Sequence, residues 1–284
     1  MPFVAGCGAP GPDLASESWW LVNSAEIHPE VKPISYSINH VRQLKRRLVN
    51  RRYKKFAIFT EGRTGSTMLH TCLQRHTRIL SHSEVFNLGL FTEDPARLAA
   101  IERDPIDYLF KYVFVDYAPV TRAVGIKLLY SQCPDSDCLA FLQKLIDLDV
   151  QIIHLKRRDI LAMYVSGLVA RGENRWHVLE DEQAELLKQN SVVVSRDEFA
   201  DFSARYIAEV KRYSRFFSDV PHLDIDFEEL TTNTDGELRR VVEFLGLRYE
   251  EGMRPMTKKR ITQPLSEIVV NYPDLEGLYL ADGW

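Results

Sequence analysis

The feature that most constrains the fold is the stretch over residues 56–67, which reads FAIFTEGRTGST. An apolar, β-prone run stops at a glycine-bracketed turn that carries a cation and several hydroxyls, and a helical pattern begins at once. A strand, a tight loop and a helix N-terminus in this order cradle anions, because the turn N–H groups point inward and the helix end is partially positive. The sequence therefore predicts a site for a phosphorylated or sulfated ligand, with an ordinary strand-to-helix turn as the alternative.

The loop differs from the standard nucleotide P-loop. That motif has a longer turn that ends in Gly-Lys-Ser/Thr, whose lysine reaches the β- and γ-phosphates. Here Gly62 and Gly65 are only three residues apart, Arg63 lies between them, and no lysine follows the second glycine. The shorter turn favours a smaller target, such as one phosphate with a transferable group.

The segment 150–171 repeats the arrangement, because an apolar strand is followed by the charged residues KRRD and then by a helical run. Ligands of open α/β sheets gather at such strand ends. Arg158 and Ser166 are eight residues apart, so one lies at the mouth of the helix and the other about two turns along it. Asp159 is a candidate N-cap residue or first-turn carboxylate. Solvated surface charge is the alternative interpretation of Arg157, Arg158 and Asp159.

The order of elements along the chain predicts an α/β fold. Apolar, β-rich runs occur at 56–60, 79–86, 124–130, 150–155 and 222–227. Helical patterns occur near 65–77, 138–147, 159–171, 197–218 and 234–246. This alternation favours a P-loop-like, three-layer fold with a mainly parallel sheet flanked by helices. We predict an N-terminal arm and basic helix over 1–53, then one domain over 54–284 with a lid or acceptor-binding insertion at 172–200.

The two motifs together resemble those of the sulfotransferases that use 3′-phosphoadenosine-5′-phosphosulfate (PAPS). Residues 63–67 resemble the 5′-phosphosulfate loop of that family, and the Arg158–Ser166 pair resembles its 3′-phosphate site. Segments 225–230 and 241–247 resemble its late strand and helix. Three segments, 175–177, 264–267 and 271–272, are similar to the bacterial carbohydrate branch, which includes the trehalose and nodulation-factor enzymes. The resemblance covers residues 54–275.

The resemblance implies transfer of a sulfuryl group from PAPS to a hydroxyl of a carbohydrate or carbohydrate-bearing metabolite, by in-line displacement and without a metal. The implied ligands of the 5′ end are Arg63, Thr64, Gly65, Ser66 and Thr67. Arg158 and Ser166 would bind the 3′-phosphate. Arg63 stands where the family often has lysine, and whether it assists the leaving group or only clamps it stays open.

An acceptor hydroxyl needs a general base within hydrogen-bond reach. Glu84 is the preferred candidate, because it follows the first helix where related carbohydrate enzymes carry an active-site glutamate. His82 is the second candidate, since it shares the face of Glu84 on an extended segment. A loop of polar surface residues is the alternative for both. Lys127 lies inside an apolar strand, so it either reaches out at the strand end or, as we favour, contacts substrate or sulfonate oxygens.

Two further regions are candidates for ligand contacts. Trp176 and His177 suit stacking on a sugar, although Trp176 is equally suited to the core. Lys258 and Arg260 belong to a basic tail that would fold over the cofactor phosphates, as basic loops do in relatives. A solvated basic turn is the plainer interpretation of that tail.

Composition limits the partners and the compartment. The formal net charge of −4 argues against nucleic-acid binding, and no apolar run approaches the length of a membrane span. The four cysteines show no CxxC spacing, so we expect a reducing, cytoplasmic setting and no structural zinc. The basic run 42–55 is interpreted as a solvated helix face rather than a lipid or partner contact. We expect Trp19 and Trp20 to pack the arm on the domain or on another protomer, which leaves a homodimer open.

Two rival functions differ from sulfuryl transfer in ways that the sequence can address. A P-loop kinase or nucleotide hydrolase needs a magnesium carboxylate at a strand end and a lysine for the γ-phosphate, and neither occurs in a convincing context. A non-catalytic anion- or nucleotide-binding domain would lack the general base and the Arg158–Ser166 pair, and both are present.

Overall fold

Five parallel strands form the centre of the structure, a computed structural model that describes residues 52–135, 137–172, 191–256 and 263–275. The strands are β1 (Lys54–Thr60), β2 (Ile79–Glu84), β3 (Ala123–Leu129), β4 (Val150–Lys156) and β5 (His222–Asp226). They lie in the order β2-β3-β1-β4-β5, and every neighbouring pair is parallel. The α/β class and the parallel sheet that the sequence predicts are confirmed.

The connections after β1 and β4 lead to opposite edges of the sheet. β1 lies at the centre, and the chain continues from it to β2 at one edge, whereas from β4 it continues to β5 at the other. Ligands of open α/β sheets bind in the crevice outside the carboxyl ends of two such strands. The topology thus brings the two predicted anion-binding motifs to the same crevice although they are far apart in the sequence.

β1 is buried on both faces, as is typical of a central strand in a parallel sheet. Phe56, Ala57, Ile58 and Phe59 are all fully buried. Phe56 and Ile58 contribute to one hydrophobic core, and Ala57 and Phe59 contribute to a second core on the other face. Helices therefore cover the sheet on both sides, which gives the three layers.

Nine α-helices occur in the described ranges. They are α1 (Ser66–Gln74), α2 (Pro95–Arg103), α3 (Pro105–Tyr108), α4 (Cys138–Asp147), α5 (Ile160–Gly172), α6 (Arg196–Phe217), α7 (Phe227–Thr232), α8 (Thr234–Phe244) and α9 (Leu265–Ile268). Shorter helical turns are the 3₁₀ turns Leu88–Phe91, Tyr130–Gln132 and Tyr272–Leu275 and the π turn Leu109–Val113. Among the described helices, none combines the length and the apolar character that a membrane span needs.

The predicted helices correspond to α1, α4, α5, α6 and α8, whereas four helices were missed. α7 and α9 are single short turns. α2 and α3 lie between β2 and β3, and each begins with an Asp-Pro pair, a recognised start signal. Asp94 accepts a hydrogen bond from the N–H of Arg97, and Asp104 accepts one from the N–H of Ile106. Both helix starts are therefore predictable from these Asp-Pro pairs.

The predicted domain boundaries stay a prediction. The described residues begin after position 51, so the arm over 1–53 lies almost wholly outside them. The same holds for residues 173–190 of the insertion predicted at 172–200.

A buried histidine links the last three strands of the chain. His154 of β4 is fully buried, and its Nε2 lies 2.6 Å from the hydroxyl of Tyr130, which directly follows β3. Its Nδ1 lies 3.2 Å from Oδ1 of Asp224 in β5, although the two atoms are not aligned as a hydrogen bond. Burial lowers the pKa of His154, and Asp224 only partly offsets that effect. The imidazole is therefore neutral at neutral pH.

A second histidine, His82, lies on β2 beside an irregularity in the strand. Ser81 pairs with Gly125 and Glu84 with Lys127, so three residues of β2 span two residues of β3. This bulge interrupts the alternation of side chains. The Nε2 of His82 lies 3.0 Å from the hydroxyl of Tyr117, and burial lowers the pKa of His82 to about 4.

We expect acidification below the pKa of an unfolded histidine, about 6.5, to destabilise the fold. Native His154 and His82 have lowered pKa values, so the unfolded chain binds more protons at these two residues. The free energy of unfolding therefore decreases as the pH is lowered. Urea denaturation between pH 6.5 and 5.0 should show a shallower pH slope for His154→Gln and for His82→Gln than for the wild type. Identical slopes in all three proteins would contradict the lowered pKa values of His154 and His82.

Candidate active site

The loop that follows β1 has an unusual backbone. Arg63 and Gly65 both have positive φ, at 67° and 82°. A Cβ atom at Gly65 would come within 2.3 Å of the Phe227 ring, so both the backbone angle and the space require glycine. For Arg63 the left-handed conformation costs roughly 1–2 kcal/mol, and it persists only where surrounding contacts hold it.

Threonine hydroxyls hold the loop from the inside. The Oγ1 of Thr60 donates to the carbonyl of Leu155 in β4 at 2.6 Å and lies 2.6 Å from the Oγ1 of Thr64. Thr64 Oγ1 also donates to the carbonyl of Glu61 at 2.8 Å. Thr64, a predicted cofactor ligand, is fully buried. Its hydroxyl is used within the loop, which leaves its backbone N–H as the group to consider for an anion.

The side chain of Arg63 connects the two predicted motifs. Its Nε and Nη2 donate to the hydroxyl of Ser166 in α5 at 3.1 and 3.0 Å. The residues predicted for the 5′ and 3′ ends of the ligand are therefore direct neighbours. This contact spans 103 residues of sequence, and it follows from the switch in topology between β1 and β4.

Arg158 lies just before α5, and two carboxylates of α7 lie close to its guanidinium. Its Nη2 is 3.1 Å from Oε1 of Glu229, and its Nε is 3.6 Å from Oε2 of Glu228. Glu228 also accepts hydrogen bonds from the backbone N–H groups of Arg158 and Asp159. Asp159 in turn accepts from the N–H of Ala162 at 2.8 Å, which confirms it as the N-cap.

The carboxylate of Glu84 forms a buried ion pair with Lys127 of β3. The Nζ of Lys127 lies 2.8 Å from Oε1 of Glu84 and donates to Oγ1 of Thr67 at 3.1 Å. Since the Lys127 side chain is only 1% exposed, it does not reach out to solvent at the strand end. The ion pair therefore ties the preferred base to the first turn of α1, beside the loop.

Two amides complete the environment of Glu84. Asn87 and Gln132 donate to its Oε2 at 2.8 and 2.7 Å. Burial alone would raise the pKa of Glu84, but Lys127 and these amides outweigh it and hold the pKa below its ordinary value. The group is therefore an ionised hydrogen-bond acceptor at neutral pH, as a general base must be.

His82 has different neighbours from Glu84. The sequence interpretation places the two on one face of an extended strand, but the bulge at 81–84 breaks that alternation. Ser81, and not His82, therefore lies on the same face of β2 as Glu84. The hydroxyl of Ser81 contacts His70 of α1 at 2.8 Å. His82 instead contacts Tyr117. Its role as a base stays a prediction.

Sequence reasoning missed two residues of this region, Arg157 and Phe227. The sequence interpretation gives Arg157 no role and offers solvated surface charge as an alternative, yet the residue is 8% exposed, and its Nη1 donates to the carbonyl of Arg63 at 2.9 Å. Its Cζ lies 4.4 Å from the ring centre of Phe227, the ring that packs on Gly65. Both residues directly follow observed strands, since β4 ends at Lys156 and β5 ends at Asp226, and their position near the ends of the predicted apolar runs is the signal that could have found them.

Some predicted contacts lie outside the described residues. These are Trp176, His177, Lys258 and Arg260. Among the residues that the structure describes, no group of three or more His, Cys, Asp or Glu side chains is arranged to hold a metal ion.

Comparison with known proteins identifies the family. A family model for the sulfotransferase domain matches residues 54–275. Similar solved structures include a sulfotransferase from Alicyclobacillus acidocaldarius, with 19% identity over 76% of this chain and 87% of that chain and a TM-score of 0.45. The sulfotransferase domain of the Synechococcus PCC 7002 olefin synthase has 17% identity over 75% and 81%, with a TM-score of 0.42. Mouse sulfotransferase SULT7A1, complexed with PAP, has 15% identity over 70% of this chain and 60% of that chain, with a TM-score of 0.41.

A search of curated protein sequences gave no match. Because the family model spans most of its length, this chain belongs to the sulfotransferase domain family.

Proposed function

We propose that the protein transfers a sulfuryl group from PAPS to a hydroxyl of a carbohydrate or carbohydrate-bearing metabolite. Sulfuryl transfer is the activity of the family. The observation that carries the assignment of the site is a line of contacts across the crevice. On one side, Ser166 contacts Arg63 of the loop. On the other side, Thr67, in the first turn of α1 directly after the loop, contacts Lys127, which pairs with Glu84.

The residues present fit such a donor. The loop supplies backbone N–H groups at a helix N-terminus, a favourable site for phosphate. Arg63, Arg157 and Arg158 add positive charge at the same edge of the sheet, and the buried Nε of Arg157 has no hydrogen-bond partner. In this proposal Arg63, Ser66 and Thr67 hold the 5′ end. The 3′-phosphate goes to Arg158 and Ser166.

PAPS, when bound, supplies a sulfuryl group attached to a phosphate leaving group. Such a displacement has a loose transition state, so the protein acts by orienting groups and stabilising charge. Glu84 accepts the proton of the acceptor hydroxyl. Once Glu84 is protonated, Lys127 loses its ionic partner, and its charge becomes available to oxygens next to Thr67. Arg63 contributes a fixed positive charge on the loop side.

The nature of the acceptor rests on the resemblance to the carbohydrate branch. Trp176 and His177 are proposed to contact the sugar, and Lys258 and Arg260 to contact the donor phosphates. A cytoplasmic location and a homodimer stay predictions.

The 3′-phosphate assignment predicts a preference among adenine nucleotides. Calorimetric titration without magnesium should show 3′,5′-adenosine bisphosphate (PAP) binding at least roughly tenfold tighter than ADP, because a hydrogen bond between charged groups contributes about 1.5–3 kcal/mol. Arg158→Ala should remove most of that preference. Arg103→Ala, an exposed arginine of α2, is the control and should behave as the wild type. Equal binding of both ligands, or a magnesium-dependent preference for ATP, would refute the donor assignment.

The base assignment predicts different effects for two neighbouring residues. Glu84→Gln should lower kcat by about 100-fold or more, the usual contribution of a general base, while the Kd for PAP changes little. His82→Gln should lower kcat by less than about tenfold. The measurement is transfer from radiolabelled PAPS to a panel of mono- and disaccharides, with alcohols that carry no sugar tested beside them. A larger loss in His82→Gln than in Glu84→Gln would reverse the assignment, and transfer only to acceptors without a sugar would reject the carbohydrate.

A further inference from the structure

Arg157 is a buried cation with no ionic partner among the residues that the structure describes. Its side chain is 8% exposed, and in the described part of the chain no carboxylate lies within ion-pair distance of its guanidinium. The guanidinium donates one hydrogen bond, to the carbonyl of Arg63, and its buried Nε has no partner. Asp159 and Glu228 act on it only from beyond ion-pair distance, and burial outweighs them, so the pKa of Arg157 is lowered. Arginine is rarely buried unless it is paired, because a buried charge without a close partner is costly.

The contacts of Arg157 hold it in one place. The hydroxyl of Tyr206 in α6 accepts from the backbone N–H of Arg157 at 2.9 Å and donates to its carbonyl at 3.3 Å. The guanidinium lies over the ring of Phe227, with Cζ 4.4 Å from the ring centre. A cation over an aromatic face recovers part of the cost of burial. The backbone and the side chain are thus both fixed, and a structural role alone does not require the charge.

The same contacts connect Arg157 to the anion-binding loop at two points. The carbonyl that it binds belongs to Arg63, whose φ is positive, and the ring on which it lies packs against Gly65. Both left-handed residues of the loop therefore contact Arg157 or its stacking partner. A methionine of similar length would remove the charge and the donor but leave the volume filled.

We infer that Arg157 is a positioning residue for the phosphosulfate loop, and that its unpaired charge is the counter-charge that a phosphate-type anion in the loop neutralises. The inference rests on the proposed function, since PAPS is the anion concerned. It differs from the roles proposed for Arg158 and Ser166, because Arg157 acts through the backbone carbonyl of Arg63 and through Phe227. It explains why a charge without a protein partner is buried at this position.

The test compares thermal stability with and without ligand. For the wild type, saturating PAP should raise the Tm. For Arg157→Met, the Tm without ligand should equal or exceed that of the wild type, since a buried unpaired charge is removed. The Kd for PAP should rise at least about tenfold, and the Tm shift at a fixed PAP concentration should shrink accordingly. Arg157→Lys keeps the charge but not the planar group, and should give a smaller loss.

Arg205→Met is the matched control, because Arg205 is an exposed arginine of α6 that lies 5.6 Å from the ring centre of Phe202. It should change neither quantity. If Arg157→Met lowers the ligand-free Tm while the Kd for PAP stays within about twofold of the wild type, Arg157 is merely structural and the inference is wrong. If Arg157→Met does not fold, the Kd of Arg157→Lys decides in the same way. If the wild type itself is not stabilised by PAP, both the inference and the proposed donor fail.

Discussion

The central position of β1 is the constraint on which the rest of the site depends. Because β1 is hydrogen-bonded to β3 on one side and to β4 on the other, the carboxyl ends of all three strands meet at one edge. Lys127, the loop after Thr60 and Arg157 come from these three strands. Their side chains have no short-range connection in the sequence, and only the strand order makes them neighbours.

Several cationic side chains lie at this edge, and each has a different kind of partner. Lys127 has the carboxylate of Glu84, and Arg158 has those of Glu228 and Glu229. Arg63 donates to a neutral hydroxyl. Only the first of these pairs is buried. The exposed pairs of Arg158 contribute little and cost little to break, whereas separating the buried pair of Lys127 and Glu84 is costly while both groups are charged.

Much of the fold could be predicted from the sequence, because five apolar runs and five helical patterns mark the elements that cover and form the sheet. The glycine-bracketed turn after β1 and the N-cap at Asp159 follow from local spacing. The burial of Arg157 could not be predicted, since it is caused by Phe227 and Tyr206, which come from much later in the chain. Nor could the partner of Lys127, because that pair requires β2 and β3 to be adjacent, a property of strand order and not of either strand.

The bulge in β2 has a consequence for how the site is recognised in other chains. Three residues of β2 span two of β3, so removal of one residue between Ser81 and Glu84 would restore regular pairing and still leave a carboxylate opposite Lys127. The number of residues between the anion loop and the carboxylate is therefore free to vary by one. A search that fixes this spacing would overlook chains with the same constellation, whereas one that anchors on the lysine of the adjacent strand would find them.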